Sequence, residues 1–200
     1  VTLGDVAKVI SLDPALTAKL LRMANSPLYA RHRKTENLRQ AITLFGVEGT
    51  ITLALSFSVV NGLKGKVGHR FDYDHFWRRS LAAATCAQVL GERIEVRNKE
   101  DLFLCGLLQD IGMLALDKSM PELYQQCDIR SGHAGVIGHE HSALGMDHAE
   151  VGAWLLKRWN FPERLQIIVA SSHEPEAAYV RYAPLRQQID VAALASDMAD

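Results

Sequence analysis

Apolar side chains recur at intervals of three and four residues along most of the chain, and this spacing predicts a helical protein. Asp13 followed by Pro14 is typical of a helix start, and the next residues place Leu16, Leu20 and Met23 on one face. Other helices are predicted over 37–46, 50–61, 74–92, 100–118, 147–159 and 162–172, with a short one from 121 and a last one from about 184. Since no segment alternates with a period of two, we expect an all-α fold.

A stretch rich in glycine and lysine separates these helices into two groups. Residues 62–68 read GLKGKVG, and three glycines in seven residues do not favour a helix. We therefore expect a multi-helix, two-lobed architecture, with a small helical lobe over 1–62, a linker over 63–71 and a larger helical lobe over 72–200. The chain starts at Val1 and ends within a helical pattern at Asp200, so we expect it to be part of a longer protein.

Composition narrows the class of protein and of partner. The 200 residues include 22 basic and 23 acidic side chains, so no bulk positive field attracts nucleic acid or an anionic membrane. No apolar run reaches the roughly 18 residues that a membrane span needs. Cys86, Cys105 and Cys127 form no CxxC pair, which favours buried thiols in a cytoplasmic protein over a zinc site or a disulfide. A partner that is another protein fits this chain best.

One segment combines a long apolar run with a carboxylate. Between Leu102 and Leu116 only Gln109 and Asp110 are polar, so we expect a central helix with a buried acid in its middle. A buried carboxylate needs a cation or hydrogen-bond donors. Gly106 and Gly112 on either side permit close backbone approach. These observations are equally compatible with a structural role for Asp110 and with a role in a functional site.

Several motifs occur in an order that resembles a known family. They are DPALTAKLLRMANSPLY at 13–29, QAITLFG at 40–46, FWRRSL at 76–81, GLLQDIG at 106–112, HAEVGAWLLKRWNFP at 148–162 and HEP at 173–175. Together they resemble the HDOD domain, a bacterial signalling module related to the HD superfamily of metal-dependent phosphohydrolases. The resemblance covers nearly the whole chain and implies a degenerate HD-like arrangement of helices in the larger lobe.

The resemblance also implies positions for a metal site. Active HD enzymes hold a divalent ion with a histidine, a His-Asp pair and a late aspartate, and binuclear relatives add two histidines. In this chain the corresponding residues are Arg79, Gln109, Asp110, Asp197, His148 and His173. Arg79 and Gln109 thus replace the two histidines of the HD metal site, and we expect no catalytic residue. Our hypothesis is that the Arg79 guanidinium, which cannot deprotonate, replaces the metal by pairing with Asp110 or Asp197.

Two alternatives remain for the histidines. Asp110, His148, His173 and Asp197 could still hold one divalent ion, or His148 and His173 could be structural, with Glu150 and Glu174 near them. A second group of histidines lies among glycines at 132, 135 and 138, which favours a surface loop over a metal site, with Glu140 capping the helix that follows. This group contains His133, His139 and His141.

The resemblance implies a non-catalytic regulatory module in bacterial signal transduction, acting on other signalling proteins or on adjoining domains and needing no cofactor. One alternative is a residual metal-dependent phosphohydrolase, using a single divalent ion, that acts on nucleotides or cyclic dinucleotides. Another is a domain that senses a nucleotide without turnover. Arg79 and Gln109 argue against the enzyme.

Overall fold

The computed structural model describes residues 1–25, 29, 34–62, 71–96, 101–125, 127 and 132–200. Contacts divide the chain into two compact units, Val1–Gly62 and Leu63–Asp200. The described residues form eleven α-helices and no strand, which confirms the all-α prediction. Residues 63–70 of the predicted linker lie outside the described residues.

The described residues of the smaller unit form three helices. These are α1 (Leu3–Ile10), α2 (Pro14–Ala24) and α3 (Leu38–Gly62). The predicted cap at Asp13 is confirmed, because its carboxylate accepts hydrogen bonds from the backbone N–H groups of Ala15 and Leu16. Gly46 interrupts α3 with φ 74°, where the sequence predicted a helix end. Both α1 and α2 pack on α3, and their inward side chains, including Ile10 and Leu20, form a small core.

The other eight helices of the described structure belong to the larger unit. They are α4 (Tyr73–Arg93), α5 (Leu102–Leu108), α6 (Ile111–Ser119), α7 (His133–Leu144), α8 (His148–Arg158), α9 (Glu163–Ala170), α10 (Pro175–Ala178) and α11 (Arg186–Asp197). Every residue of α5 is buried, and this helix packs against α4, α9 and α11. In turn, α6 packs on α8 and α8 packs on α9. The apolar α5–α6 segment is therefore central, as its composition predicted.

The prediction of one continuous helix over 100–118 is wrong. Helix α5 ends at Leu108 and α6 begins at Ile111, with Asp110 between them at φ −101° and ψ 9°. The Asp110 carboxylate makes no capping hydrogen bond to α6. Because Asp110 lies between the two helices, its carboxylate oxygens can bond to residues of other helices.

Gly106 and Gly112 bring helices into backbone contact, as the sequence predicted. A Cβ atom at Gly106 would lie 2.7 Å from the carbonyl oxygen of Ala83 on α4. A Cβ atom at Gly112 would lie 2.0 Å from the carbonyl oxygen of His148 on α8. Only glycine permits these approaches. They fix Asp110, which lies between the two glycines, close to both α4 and α8.

Two expectations from composition can be compared with the structure. None of the described helices combines the length and the apolar content needed to cross a bilayer. The three cysteines form no disulfide with one another, and Cys105 is fully buried in α5.

Candidate functional site

Arg79 extends from α4 into the interior of the larger unit, where it pairs with Asp110. Its Nη1 donates to Asp110 Oδ2, and its Nε donates to Asp200 Oδ1 at 2.6 Å. Its Nη2 donates to the Ser196 hydroxyl at 2.8 Å and to the Ser196 carbonyl at 3.2 Å. The Arg79–Asp110 pairing that the sequence suggested is therefore present, and the buried guanidinium also donates hydrogen bonds to Asp200 and Ser196.

The other carboxylate oxygen of Asp110 faces three imidazoles. Asp110 Oδ1 lies 3.1 Å from His133 Nε2 and 3.5 Å from the Nε2 atoms of both His148 and His173. His148 Nε2 is itself 3.1 Å from His133 Nε2 and 2.8 Å from His173 Nε2. We call these four residues the Asp110–histidine cluster. Its four facing atoms all lie within 4.8 Å of one another.

Glu140 supports this cluster from behind His148. Its Oε2 accepts a hydrogen bond from His148 Nδ1 at 2.6 Å and another from the His148 backbone N–H at 2.9 Å. The Tyr124 hydroxyl donates to the other oxygen of Glu140. Because Nδ1 carries the proton shared with Glu140, His148 is held with Nε2 directed into the cluster.

The charges of the cluster depend on one another. Burial opposes ionisation of Asp110, but His133 and Arg79 hold its pKa well below the usual range. Burial also disfavours the charged form of His148, yet hydrogen bonds to Asp110 and Glu140 raise its pKa to about 9. Burial lowers the pKa of His173, which contacts the cationic His148. His148 therefore donates a proton towards the neutral His173 when no ion is bound.

Four of the six positions taken from the family resemblance come together, namely Arg79, Asp110, His148 and His173. Gln109 is fully buried beside them, and neither polar atom of its side chain has a hydrogen-bond partner among the described residues. Asp197 is exposed, and among the described residues no hydrogen bond or ion pair joins it to the other five positions. Ser196 faces Arg79 instead, and Asp200, one turn further along, returns to the same side of the chain.

His133 is the site residue that the sequence missed, because its glycine-rich surroundings suggested a surface loop. Residues 133–144 form α7, with His133, Val136 and Glu140 on its buried face. Glu140 therefore lies inside the unit and does not cap a helix start. The spacing 133, 136 and 140 was a usable signal, but two of these three residues are polar and concealed the helical pattern. Among the other histidines of α7, His139 bonds the Leu123 carbonyl and His141 is exposed.

The resemblance to metal-dependent enzymes requires a test of whether these residues fit a divalent ion. Ligand atoms 2.0–2.2 Å from a tetrahedral ion lie about 3.3–3.6 Å from one another. In the Asp110–histidine cluster two Asp110 Oδ1–Nε2 separations are 3.5 Å, the shortest separation is 2.8 Å, and none exceeds 4.8 Å, so small shifts bring the four atoms to this spacing. One oxygen and three imidazole nitrogens also suit zinc or a similar ion. The residues therefore fit one ion on the Oδ1 side of Asp110, while Arg79 takes the Oδ2 side.

Comparison with known proteins places the chain in a family. The family model of the HDOD domain matches residues 1–175. The chain therefore belongs to the HDOD domain family.

Solved structures show the same fold. A protein of Shewanella amazonensis SB2B, described as a candidate phosphohydrolase, is 28% identical, with a TM-score of 0.78 over 99% of this chain and 69% of its own. An HDOD domain protein of unknown function from Geobacter sulfurreducens is 27% identical, with a TM-score of 0.77 over 99% of this chain and 66% of its own. The MmoQ response regulator of Methylococcus capsulatus str. Bath is 31% identical, with a TM-score of 0.57 over all of this chain and 78% of its own.

A curated relative extends well beyond the matched region. An uncharacterised protein of Treponema pallidum (strain Nichols) is 26% identical over 188 residues, which are 92% of this chain and 36% of that protein. The chain thus spans about a third of the length of this relative.

Proposed function

We propose that this chain is a non-catalytic regulatory domain of a bacterial signalling protein, which acts through contacts with other signalling proteins or with adjoining domains. The observation that carries the proposal is the placement of Arg79. A core HD site needs a histidine at this position and an aspartate open to the metal, and here a guanidinium occupies the Oδ2 side of Asp110.

The fixed charge of Arg79 opposes the chemistry of a hydrolase. A metal-dependent phosphohydrolase uses its ion as a Lewis acid and to lower the pKa of a bound water. Arginine offers no lone pair to an ion and keeps its positive charge at any working pH. With Asp200 and Ser196 as further acceptors, Arg79 is anchored too firmly to leave this position easily. It therefore keeps Asp110 paired and closes the Oδ2 side of its carboxylate to a catalytic ion.

The likeness to known proteins supports the regulatory part of the proposal. The MmoQ protein is a response regulator, and 31% of its aligned residues are identical to those of this chain. The relatives are longer than the matched region, as expected if a domain of this kind works beside others. A near-neutral formal charge of −1 also suits a protein partner better than nucleic acid.

A second function, residual metal-dependent phosphohydrolysis, is favoured by one observation. Asp110, His133, His148 and His173 place four metal-binding atoms within 4.8 Å of one another. The Shewanella protein of the same fold is described as a candidate phosphohydrolase. We rank this second because four protein ligands fill a tetrahedral ion, whereas catalytic zinc sites keep one position for water.

A phosphodiesterase assay separates the two functions. The purified chain is incubated with bis(p-nitrophenyl) phosphate or a cyclic dinucleotide, with Mn²⁺, Zn²⁺ or Mg²⁺ added in turn. Asp110→Asn serves as the control, because it removes the carboxylate that every metal scheme for this site requires. We expect the wild-type chain to show no metal-dependent turnover above this variant. Turnover that needs the metal and disappears in Asp110→Asn would overturn the non-catalytic proposal.

A further inference from the structure

We propose that the Asp110–histidine cluster is a closed binding site for one divalent ion of the zinc type, with His133 as a ligand that the family positions do not supply. The ligands are Asp110 Oδ1 and the Nε2 atoms of His133, His148 and His173. The inference goes beyond the proposed regulatory function, because a non-catalytic domain can either bind such an ion or lack it.

The orientation of the donors supports the site. All three imidazoles direct the same nitrogen, Nε2, towards a single oxygen of Asp110. His148 in addition has Glu140 behind its Nδ1, which is the carboxylate–histidine arrangement that orients metal ligands. The Nε2 atom of His148 lies 2.8 Å from that of His173 and 3.1 Å from that of His133, so a proton or an ion must lie between the lone pairs of each pair.

The formal charges around the cluster are compatible with a divalent ion. The carboxylates of Asp110, Glu140 and Asp200 lie around the cluster, and in the described structure Arg79 is the one permanently charged cation that pairs with Asp110 and Asp200. A divalent ion held by three neutral imidazoles would balance the two remaining negative charges, which protons on the imidazoles balance when no ion is bound.

Arg79 limits the site to one ion and ties His133 to it. Its guanidinium covers Asp110 Oδ2, so a second ion cannot share this carboxylate. Asp200 accepts from Arg79 Nε and also from the backbone N–H of His133 at 3.1 Å. The same arginine that removes the core metal position therefore holds the start of α7, and with it His133, against the remaining donors.

Metal analysis with matched variants tests the inference. The apo chain is loaded with Zn²⁺, freed of excess metal by gel filtration, and its bound zinc is measured by mass spectrometry. We expect about one equivalent for the wild-type chain and for His141→Gln, an exposed histidine of the same helix. His133→Gln should fall well below one equivalent, with its folding checked by circular dichroism. Glu140→Gln should weaken zinc binding by about 10–100-fold, as for other residues that orient a ligand.

A measurement without substitutions keeps the test independent of folding defects. Long-range ¹H–¹⁵N spectra resolve the imidazole nitrogens of the eight histidines. One equivalent of Zn²⁺ should shift the Nε2 signals of three rings and leave the other five unchanged. No binding, two bound equivalents, or one equivalent that His133→Gln retains would each overturn the inference. Zinc binding without turnover supports both proposals, whereas zinc-dependent turnover rejects only the regulatory one.

Discussion

Replacing Arg79 with methionine is the sharpest test of its structural role. The substitution keeps an apolar side chain of similar length and removes every hydrogen bond of the guanidinium. Breaking a buried ion pair by removing one partner costs about 3–5 kcal/mol, because the remaining charge stays buried. Asp110 keeps His133 and His148, whose raised pKa values let them carry protons, so we expect a loss near the lower limit, about 3 kcal/mol.

Urea unfolding followed by tryptophan fluorescence measures this loss. The three tryptophans, Trp77, Trp154 and Trp159, all belong to the larger unit, so the signal reports on the unit that contains the site. The matched control is Arg78→Met, which changes an exposed arginine on the same helix. We expect the control to change the free energy of unfolding by less than about 0.5 kcal/mol. The slope of the transition should be unchanged in both variants.

A double-mutant cycle with Asp110→Asn completes this test. If Arg79 and Asp110 stabilise each other, the double variant should be more stable than the sum of the two single losses implies, by about 0.5–3 kcal/mol. Equal losses in Arg79→Met and Arg78→Met, or strictly additive losses in the cycle, would refute the argument that Arg79 stabilises the buried Asp110.

Three other predictions concern the packing and the protonation of the site. Gly112→Ala should lower the urea midpoint strongly, because its Cβ would lie 2.0 Å from the His148 carbonyl oxygen. Gly138→Ala should raise the urea midpoint and increase the free energy of unfolding by up to about 1 kcal/mol, since no atom lies within 4 Å of its Cβ position in α7. In metal-free buffer the larger unit should lose stability between pH 6.5 and about 9. The folded-state pKa of His148 is raised to about 9, so its contribution is complete below pH 6.5 and is lost as pH rises through 9. Unchanged urea midpoints across this range, or a loss of equal size in His148→Asn, would contradict the last prediction.

The sequence predicted the parts of the site that depend on local pattern and on family position. The buried carboxylate of Asp110 requires a cation, and Arg79, at a position that holds a metal ligand in HD enzymes, was the expected partner. Gly106 and Gly112 indicated close helix contacts, and the structure has backbone atoms of α4 and α8 at those points. These features depend on the chemistry of one or two residues, so a single sequence reveals them.

The remaining residues of the site depend on contacts far apart in the chain. Arg79 and Asp200 are separated by 121 residues, and nothing local to Asp200 distinguishes it from Asp197. The difference between them is their position around the end of α11, which the family motif does not indicate. His133 was missed because its helix carries polar residues on the buried face, which hydrophobic periodicity cannot detect.

A crystal structure grown with Mn²⁺, with anomalous scattering recorded, tests the central claim most directly. The account predicts that Arg79 stays on Asp110 Oδ2 and that any ion lies on the Oδ1 side, among the Nε2 atoms of His133, His148 and His173. An ion on the Oδ2 side, with Arg79 turned away from Asp110, would contradict it.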